Sequence, residues 1–356
     1  MMWSQKDWVR WWQSSDLKRP FYIQGPLKLL SVLYRIGQYL HRHCSLCLLK
    51  RASIPVISIG SVCAGGSGKT PLCAWLYDNL QPHLRCAIVM RGYNLGLAVE
   101  KPYWVEATSQ KVADEAWMLS GLHQGKQLHR RVLISKNRWQ GCQQAAQEGY
   151  QLALLDDGMQ HYQLARDFEI VLFDPEDAFQ GMLPEGRRRE PWSALQRADW
   201  IIIRSSDPIA PTLKKNLGIN EKKCARFSYG VGGWKGRELA FSSSGALAAT
   251  RLGVCTGIAR PYQFLKLLAS HHIVAIKETL LADHEDVDST FLIDCERQWK
   301  SHGIEYGICT EKDYARWSQV MPLSNFWIYP QLILNWHEGE EAFLNDLFSM
   351  LSLSTH

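Results

Sequence analysis

The chain has 356 residues, 46% of them apolar and 21% charged, with a formal net charge of +5. Its length makes two domains the expectation and supplies a core that needs no metal or disulfide staple, and its composition excludes a disordered or supercharged chain. The ten cysteines are scattered; Cys44 and Cys47 form the one C-x-x-C, and no second pair stands at zinc-ligand spacing, so a reducing cytosol is the expected compartment.

Residues 1–51 hold nine Lys and Arg against two acids, a local charge of +7 that leaves the rest of the chain at −2. The opening MMWSQKDWVRWW carries charge and Trp where a signal peptide would carry an apolar core, so no leader is expected. From Pro26 to Leu49 apolar residues recur at three- and four-residue steps (Leu29, Leu30, Leu33, Ile36, Leu40, Cys44, Cys47, Leu48), which predicts a helix. Lys28, Arg35 and Arg42 recur every seven residues on another side. No uncharged apolar run is long enough to span a bilayer, and charges at this spacing would be costly at its centre. An interfacial amphipathic helix and an ordinary packed helix both fit the pattern. The Trp-rich start and the local charge favour peripheral contact with an anionic membrane surface. The apolar stripe suits lipid better than a phosphate backbone, so nucleic acid is not an expected partner.

The stretch Ile54–Thr70, IPVISIGSVCAGGSGKT, reads as a buried strand, a Gly-rich turn and the start of a helix. A phosphate-gripping loop needs that order. Gly65, Gly66 and Gly68 let the backbone approach a polyphosphate and turn its N–H groups inward. Lys69 reaches the β- and γ-phosphates, and the Thr70 hydroxyl is placed to hold Mg²⁺. The pattern G-x-x-x-x-G-K-[ST] wants Gly where this chain has Cys63.

Helices are expected over 71–79, 111–121 and 139–148, and strands over 86–92, 131–136, 151–158, 168–174 and 198–204. The short, fully apolar runs among them fit strands buried on both faces of a parallel sheet. The alternation predicts a doubly wound, mostly parallel α/β domain of the P-loop NTPase type. Residues 205–224 break the pattern, and RFSYGVGGWKGRELAF (226–241) reads as a β-hairpin. Alternation restarts at Arg251, with a helix over 261–269, strands in HHIVAIKET and IEYGICT, and a closing helix over 340–351. The expected organisation is a basic arm (1–51), a P-loop domain (52–205), a linker with a hairpin (206–241) and a smaller C-terminal α/β domain (242–356).

Chemistry has several candidate carriers. LALLDDGMQH (152–161) ends a buried strand on Asp156 and Asp157 at the C-terminal edge of the sheet, where open α/β sheets bind ligands. One of the two could hold a Mg²⁺ that bridges phosphates, or cap the next turn. Asp114-Glu115 could supply a base for an attacking hydroxyl or belong to a solvated helix face. Asp283-His284 is an ambiguous pair of the same kind. Arg91, Arg138 and Arg187–Arg189 could neutralise phosphate, and Glu190 sits between that basic run and Pro191.

The phosphate loop, RGY (91–93), DEA (114–116), SKNR (135–138), DDGMQH (156–161), MLPEGRRREP (182–191), GIARPYQF (257–264), DH (283–284) and TEKD (310–313) follow one another in this order. In these motifs the chain resembles the tetraacyldisaccharide 4'-kinase family, the lipid A 4'-kinases of Gram-negative bacteria, from about residue 25 to about residue 313. That family also lacks the first glycine of the loop pattern, so Cys63 is an ordinary variant within it. The chain departs where the family usually has Pro at Ala116, TPKD at 310–313 and LLPAGxLREP at 182–191. None of these changes removes a group that the reaction needs. The resemblance implies transfer of the ATP γ-phosphate to the 4'-hydroxyl of a tetraacyldisaccharide 1-phosphate, forming lipid IVA at the cytoplasmic face of the inner membrane. It implies that Ala64, Gly65, Gly66, Ser67, Gly68, Lys69 and Thr70 hold ATP. It makes Asp114 the catalytic base, oriented by His284, with Lys69 on the phosphates. It assigns Mg²⁺ to Thr70 with Asp156, Asp157 and Glu190.

Overall fold

A computed structural model describes residues 21–352, apart from 67, 93–100, 107–111, 125–129, 220–223, 238–239, 242–244, 246, 248–249, 284 and 286. The apolar runs of the first half are strands: β1 (Val56–Gly60), β2 (Cys86–Met90), a short edge strand β3 (Tyr103–Trp104), β4 (Val132–Ile134), β5 (Leu152–Asp156), β6 (Phe168–Phe173) and β7 (Trp200–Arg204). All but β3 and the last residue of β7 are buried, as strands covered on both faces must be. Between them run α1 (Phe21–Leu46), α2 (Lys69–Leu80), α3 (Asp114–Ser120) and α4 (Arg138–Gln147). The second half contains α5 (Pro211–Leu217), β8 (Cys224–Lys235), β9 (Ala240–Phe241), β10 (Leu252–Thr256), α6 (Pro261–Ser270), β11 (Lys277–Leu280), α7 (Ser289–Ser301), β12 (Tyr306–Ile308), α8 (Glu311–Ser318), β13 (Trp327–Glu338) and α9 (Glu340–Met350).

Thirteen strands form one hydrogen-bonded sheet in the order β11-β10-β12-β13-β8-β7-β6-β1-β5-β2-β4-β3, with β9 on β8. The strands from β2 and β4 through β8 are mutually parallel, and so are β10–β13. The two sets meet where β8 pairs antiparallel with β13, from Arg226↔Glu338 to Lys235↔Tyr329. The start of β8 lies on β7 and the start of β13 lies on β12. Strands of the first set therefore point along β8 toward the second set, and strands of the second point back. The loops at the two C-terminal edges face each other.

The expected hairpin is present but small, limited to Trp234↔Phe241 and Lys235↔Ala240. The main partner of β8 is β13, which the periodicity did not single out, because Pro330 interrupts it and one half is buried while the other alternates. Helices α7 and α8 also went unread; Asp288 and Thr310 cap their first turns by accepting from Phe291 N and Asp313 N.

The closing helix crosses back onto the first half. Phe343 is fully buried among Trp75, Phe168, Trp200 and Trp336, with ring centroids 5.4–6.5 Å apart. Phe343→Ala removes that aromatic junction and should cost about 3–5 kcal/mol. Scanning calorimetry would read this as a lowered unfolding temperature, with exposed Glu341→Ala unchanged. Equal midpoints for both variants would show that α9 does not belong to the core of the first half.

Candidate active site

The loop after β1 adopts the conformation its glycines permit. Gly65, Gly66 and Gly68 have φ of +73°, +47° and +87°, a region open to glycine without steric cost. Gly68 precedes the first turn of α2, and no side chain among the described residues caps that turn, so its N–H groups present positive charge to an anion. Ser67 lies outside the described residues. Ala64, expected with the ATP-holding set, has its N–H engaged by the Arg187 carbonyl at 2.7 Å. This contact belongs to a short antiparallel seam in which Arg189 N donates to Val62 O and Cys63 bridges Arg188. Cys63 is fully buried in the seam, and burial pushes its thiol up to about 12, so it is an inert packing residue.

The acidic end of β5 meets this loop directly. Thr70 Oγ1 donates to Asp156 Oδ2 at 3.0 Å. Lys69 Nζ stands 3.4 Å from Asp157 Oδ1. Arg189 clasps Asp157 through both guanidinium termini, at 2.8 and 2.9 Å, and Arg138 donates to the Asp157 carbonyl at 3.2 Å. Asp157 adopts a left-handed φ of +53°, a strained backbone of the kind that clusters at functional sites.

The two neighbouring carboxyls are driven apart. Burial raises Asp157, but Lys69 and Arg189 outweigh it and hold the group well below the usual carboxylate range. Burial, reinforced by the charge of Glu115, pushes Asp156 up to about 7. Its Oδ1 is buried and has no hydrogen-bond partner among the described residues. A buried, unsatisfied carboxylate oxygen beside the Thr70 hydroxyl is a donor set that suits a hard divalent cation such as Mg²⁺.

Glu190 was expected to share that site. It is fully buried in a separate network, with Oε1 accepting from Gln160 at 3.0 Å and Oε2 from Arg197 at 2.6 Å. Among the described residues no three His, Cys, Asp or Glu side chains converge as a metal cage, so the expected cluster of Asp156, Asp157 and Glu190 is not assembled. The physical reason is that Arg189 and Arg197 neutralise Asp157 and Glu190 individually.

From the facing edge, the second half reaches the same loop. Tyr229 on β8 donates its hydroxyl to Gly68 O at 2.6 Å. A side chain at Gly65 would touch Ala259, and one at Gly66 would press on the Arg260 stem. Lys312, from TEKD, pairs with Glu115 at 3.1 Å, and the charges of Glu115, Asp283 and Asp114 counter the desolvation of its ammonium and raise its pKa. Asp114 is the first residue of α3, and its charge and that of Asp283 both act on Lys312. His284 lies outside the described residues.

Tyr229, Lys312 and Arg260 were not assigned roles from the sequence. Tyr229 lies in a stretch that reads only as hairpin, and the other two lie in motifs with no chemistry of their own. Their signal is spatial, since each stands where the facing edges meet.

A family model described as tetraacyldisaccharide-1-P 4'-kinase matches residues 23–351. Tetraacyldisaccharide 4'-kinase of Koribacter versatilis is 31% identical over 285 residues, covering 77% of this chain and 83% of that protein. The protein of that name from Haemophilus influenzae is 30% identical over 338 residues, covering 90% of each. A crystal structure of the apo form of LpxK from Aquifex aeolicus in complex with ATP superimposes with a TM-score of 0.72 at 22% identity, covering 92% of this chain and 99% of that one. That structure shares the fold. With the phosphate loop and its two acidic neighbours in place, and with matches over nearly the whole length, the chain belongs to the tetraacyldisaccharide 4'-kinase family.

Proposed function

We propose that the chain transfers the γ-phosphate of ATP to the 4'-hydroxyl of a tetraacyldisaccharide 1-phosphate, forming lipid IVA in lipid A biosynthesis. The observation that carries this reading is the gathering of the phosphate loop, Lys69, the Thr70–Asp156 pair and the acidic start of α3 at one sheet edge, which Lys312 joins from the facing edge. The N–H groups of residues 65–69 and the start of α2 bind the polyphosphate, and Lys69 turns from Asp157 to its terminal phosphates. Thr70 and Asp156 would hold Mg²⁺, which, when bound, neutralises charge on the β- and γ-phosphates. Asp157, already neutralised by Arg189, keeps Lys69 poised at the loop. Asp114 accepts the proton of the acceptor hydroxyl as its oxygen attacks the γ-phosphorus and the bond to the bridging oxygen breaks, releasing ADP, with Lys312 holding the neighbouring carboxylates in register and His284 orienting the base.

The acceptor's acyl chains remain in a bilayer, and α1 supports a peripheral approach to it. No helix among the described residues is long and apolar enough to cross a membrane. The helix docks through a polar stripe: Ser31 donates to Met182 O, Tyr34 to Arg189 O, and Gln38 to the Tyr162 hydroxyl. Its apolar residues point away. Leu29, Leu30, Val32, Leu33, Ile36, Tyr39, Leu40 and Leu46 are 42–64% exposed. A helix that packs by its polar side and exposes its apolar side has the polarity of an interfacial element, and the basic residues of the arm suit anionic headgroups.

With labelled ATP and tetraacyldisaccharide 1-phosphate in detergent micelles, Asp114→Asn should lower kcat by about 10²–10⁴-fold while the KM for ATP stays within a few-fold. Wild-type turnover in Asp114→Asn would remove it as the base. Lys69→Ala should abolish detectable transfer in the same assay; retained transfer would contradict the placement of ATP.

Leu33→Asp with Leu40→Asp should prevent co-sedimentation with phosphatidylethanolamine/phosphatidylglycerol vesicles and leave micellar activity near wild type. Undiminished sedimentation would show that α1 is not the membrane contact.

A further inference from the structure

The GIARPYQF segment has no part in the chemistry above, yet it places a buried cation that bridges two carboxylates at the join between the two halves. Arg260 is 6% exposed. One guanidinium nitrogen bonds Asp174, and the other grips both oxygens of Asp177 at 2.7 and 2.8 Å. Asp174 follows β6 in the first half, so the pairing runs across the facing edges.

The same side chain lies on the phosphate loop. A Cβ built on Gly66 would stand 3.0 Å from Arg260 Cγ, and one on Gly65 would stand 3.7 Å from Ala259 Cβ. The partners of Arg260 return to that loop by a second route. Asp177 also receives Arg187 at 2.6 Å, and the Arg187 carbonyl accepts from Ala64 N at 2.7 Å. The base of the segment is fixed as well: fully buried Asp313 accepts from Thr256 Oγ1 at 2.6 Å and Gly257 N at 3.1 Å. Arg260 thus closes a circuit through Asp177, Arg187 and Ala64, and its own stem covers the loop inside that circuit.

We infer that Arg260 is a positioning residue for the phosphate loop, one that makes nucleotide affinity depend on how the second half is seated. It acts through the backbone of 64–66, which must hold its shape to keep its N–H groups aimed at phosphate. A planar guanidinium bridging two carboxylates is required; an ammonium on a similar stem covers Gly66 but cannot span both.

The inference rests on the kinase reading, and the test separates the two. Titration calorimetry with Mg²⁺ and a non-hydrolysable ATP analogue is run on wild type, Arg260→Ala, Arg260→Lys, Asp177→Asn and the double variant Arg260→Lys with Asp177→Asn, with KM measured separately for ATP and for the disaccharide acceptor. Arg260→Ala should weaken analogue binding and raise the KM for ATP by about tenfold or more, the coupling one buried pair transmits to its neighbour, with acceptor KM and kcat within a few-fold. Arg260→Lys should recover part of the loss. Asp177→Asn should weaken binding on its own and add less than its full effect to Arg260→Lys. Variants that bind the analogue as wild type does, whatever their melting temperature, would overturn the inference while leaving the kinase reading intact. So would equal losses toward ATP and acceptor. A wild-type protein that binds no nucleotide would sink both readings.

Discussion

The antiparallel pairing of β8 with β13 is the constraint on which the rest of the molecule depends. Two parallel sheets joined by a parallel strand would present their C-terminal edges on the same side, as separate crevices. Joined through an antiparallel pair, with each long strand anchored in one sheet, they turn those edges toward each other. Every ligand-binding loop of an open parallel sheet lies at its C-terminal edge. The arrangement therefore forces the loop after β1, the acids after β5 and β6 and the start of α3 to confront the loops after β10, β11 and β12. The contacts of Tyr229, Arg260 and Lys312 follow from this geometry.

Electrostatics then divides similar carboxylates into different tasks. Asp156 and Asp157 are adjacent in sequence, but one lies in a strand buried on both faces and the other turns outward on a left-handed backbone. The first keeps an unsatisfied oxygen and carries its charge at a cost set by burial, a cost that a cation beside it would relieve. The second is fully ionised between Lys69 and Arg189 and serves as their anchor. Glu190 is spent on Gln160 and Arg197, which tie the segment carrying Arg189 to the body. A run of acids in sequence does not reveal this division, because each carboxylate's partner comes from a distant part of the chain.

This is also the boundary of what the sequence made legible. The phosphate loop was readable because its signal is local: a strand, glycines with positive φ and Lys-Thr at a helix start lie within seventeen consecutive residues. The buried strands of the first half were readable because burial on both faces leaves uninterrupted apolar runs. β13 was not, since Pro330 and a register shift at Gln331/Leu332 break any simple period. Which of Asp156, Asp157 and Glu190 would ligate a metal was not legible, because acidity alone cannot tell a ligand from an ion-pair partner. Tyr229 and Arg260 were invisible as site residues for the same topological reason that makes them important: only the β8–β13 pairing brings them to the loop.

The arm joins this system mainly through one segment, with Gln38 on Tyr162 beside it. α1 rests on residues 182–189, with Ser31 on Met182 and Glu185 and Tyr34 on the Arg189 carbonyl. That same Arg189 holds Asp157, and Arg187 and Arg189 form the seam along the phosphate loop. The helix that exposes its apolar residues and the phosphate loop are thus bonded to opposite sides of a single strip of backbone. Docking by polar residues is what makes this possible. An apolar inner face would have bound the helix to the body by burial alone and left no outward apolar surface, whereas directed hydrogen bonds fix its position and leave that surface exposed.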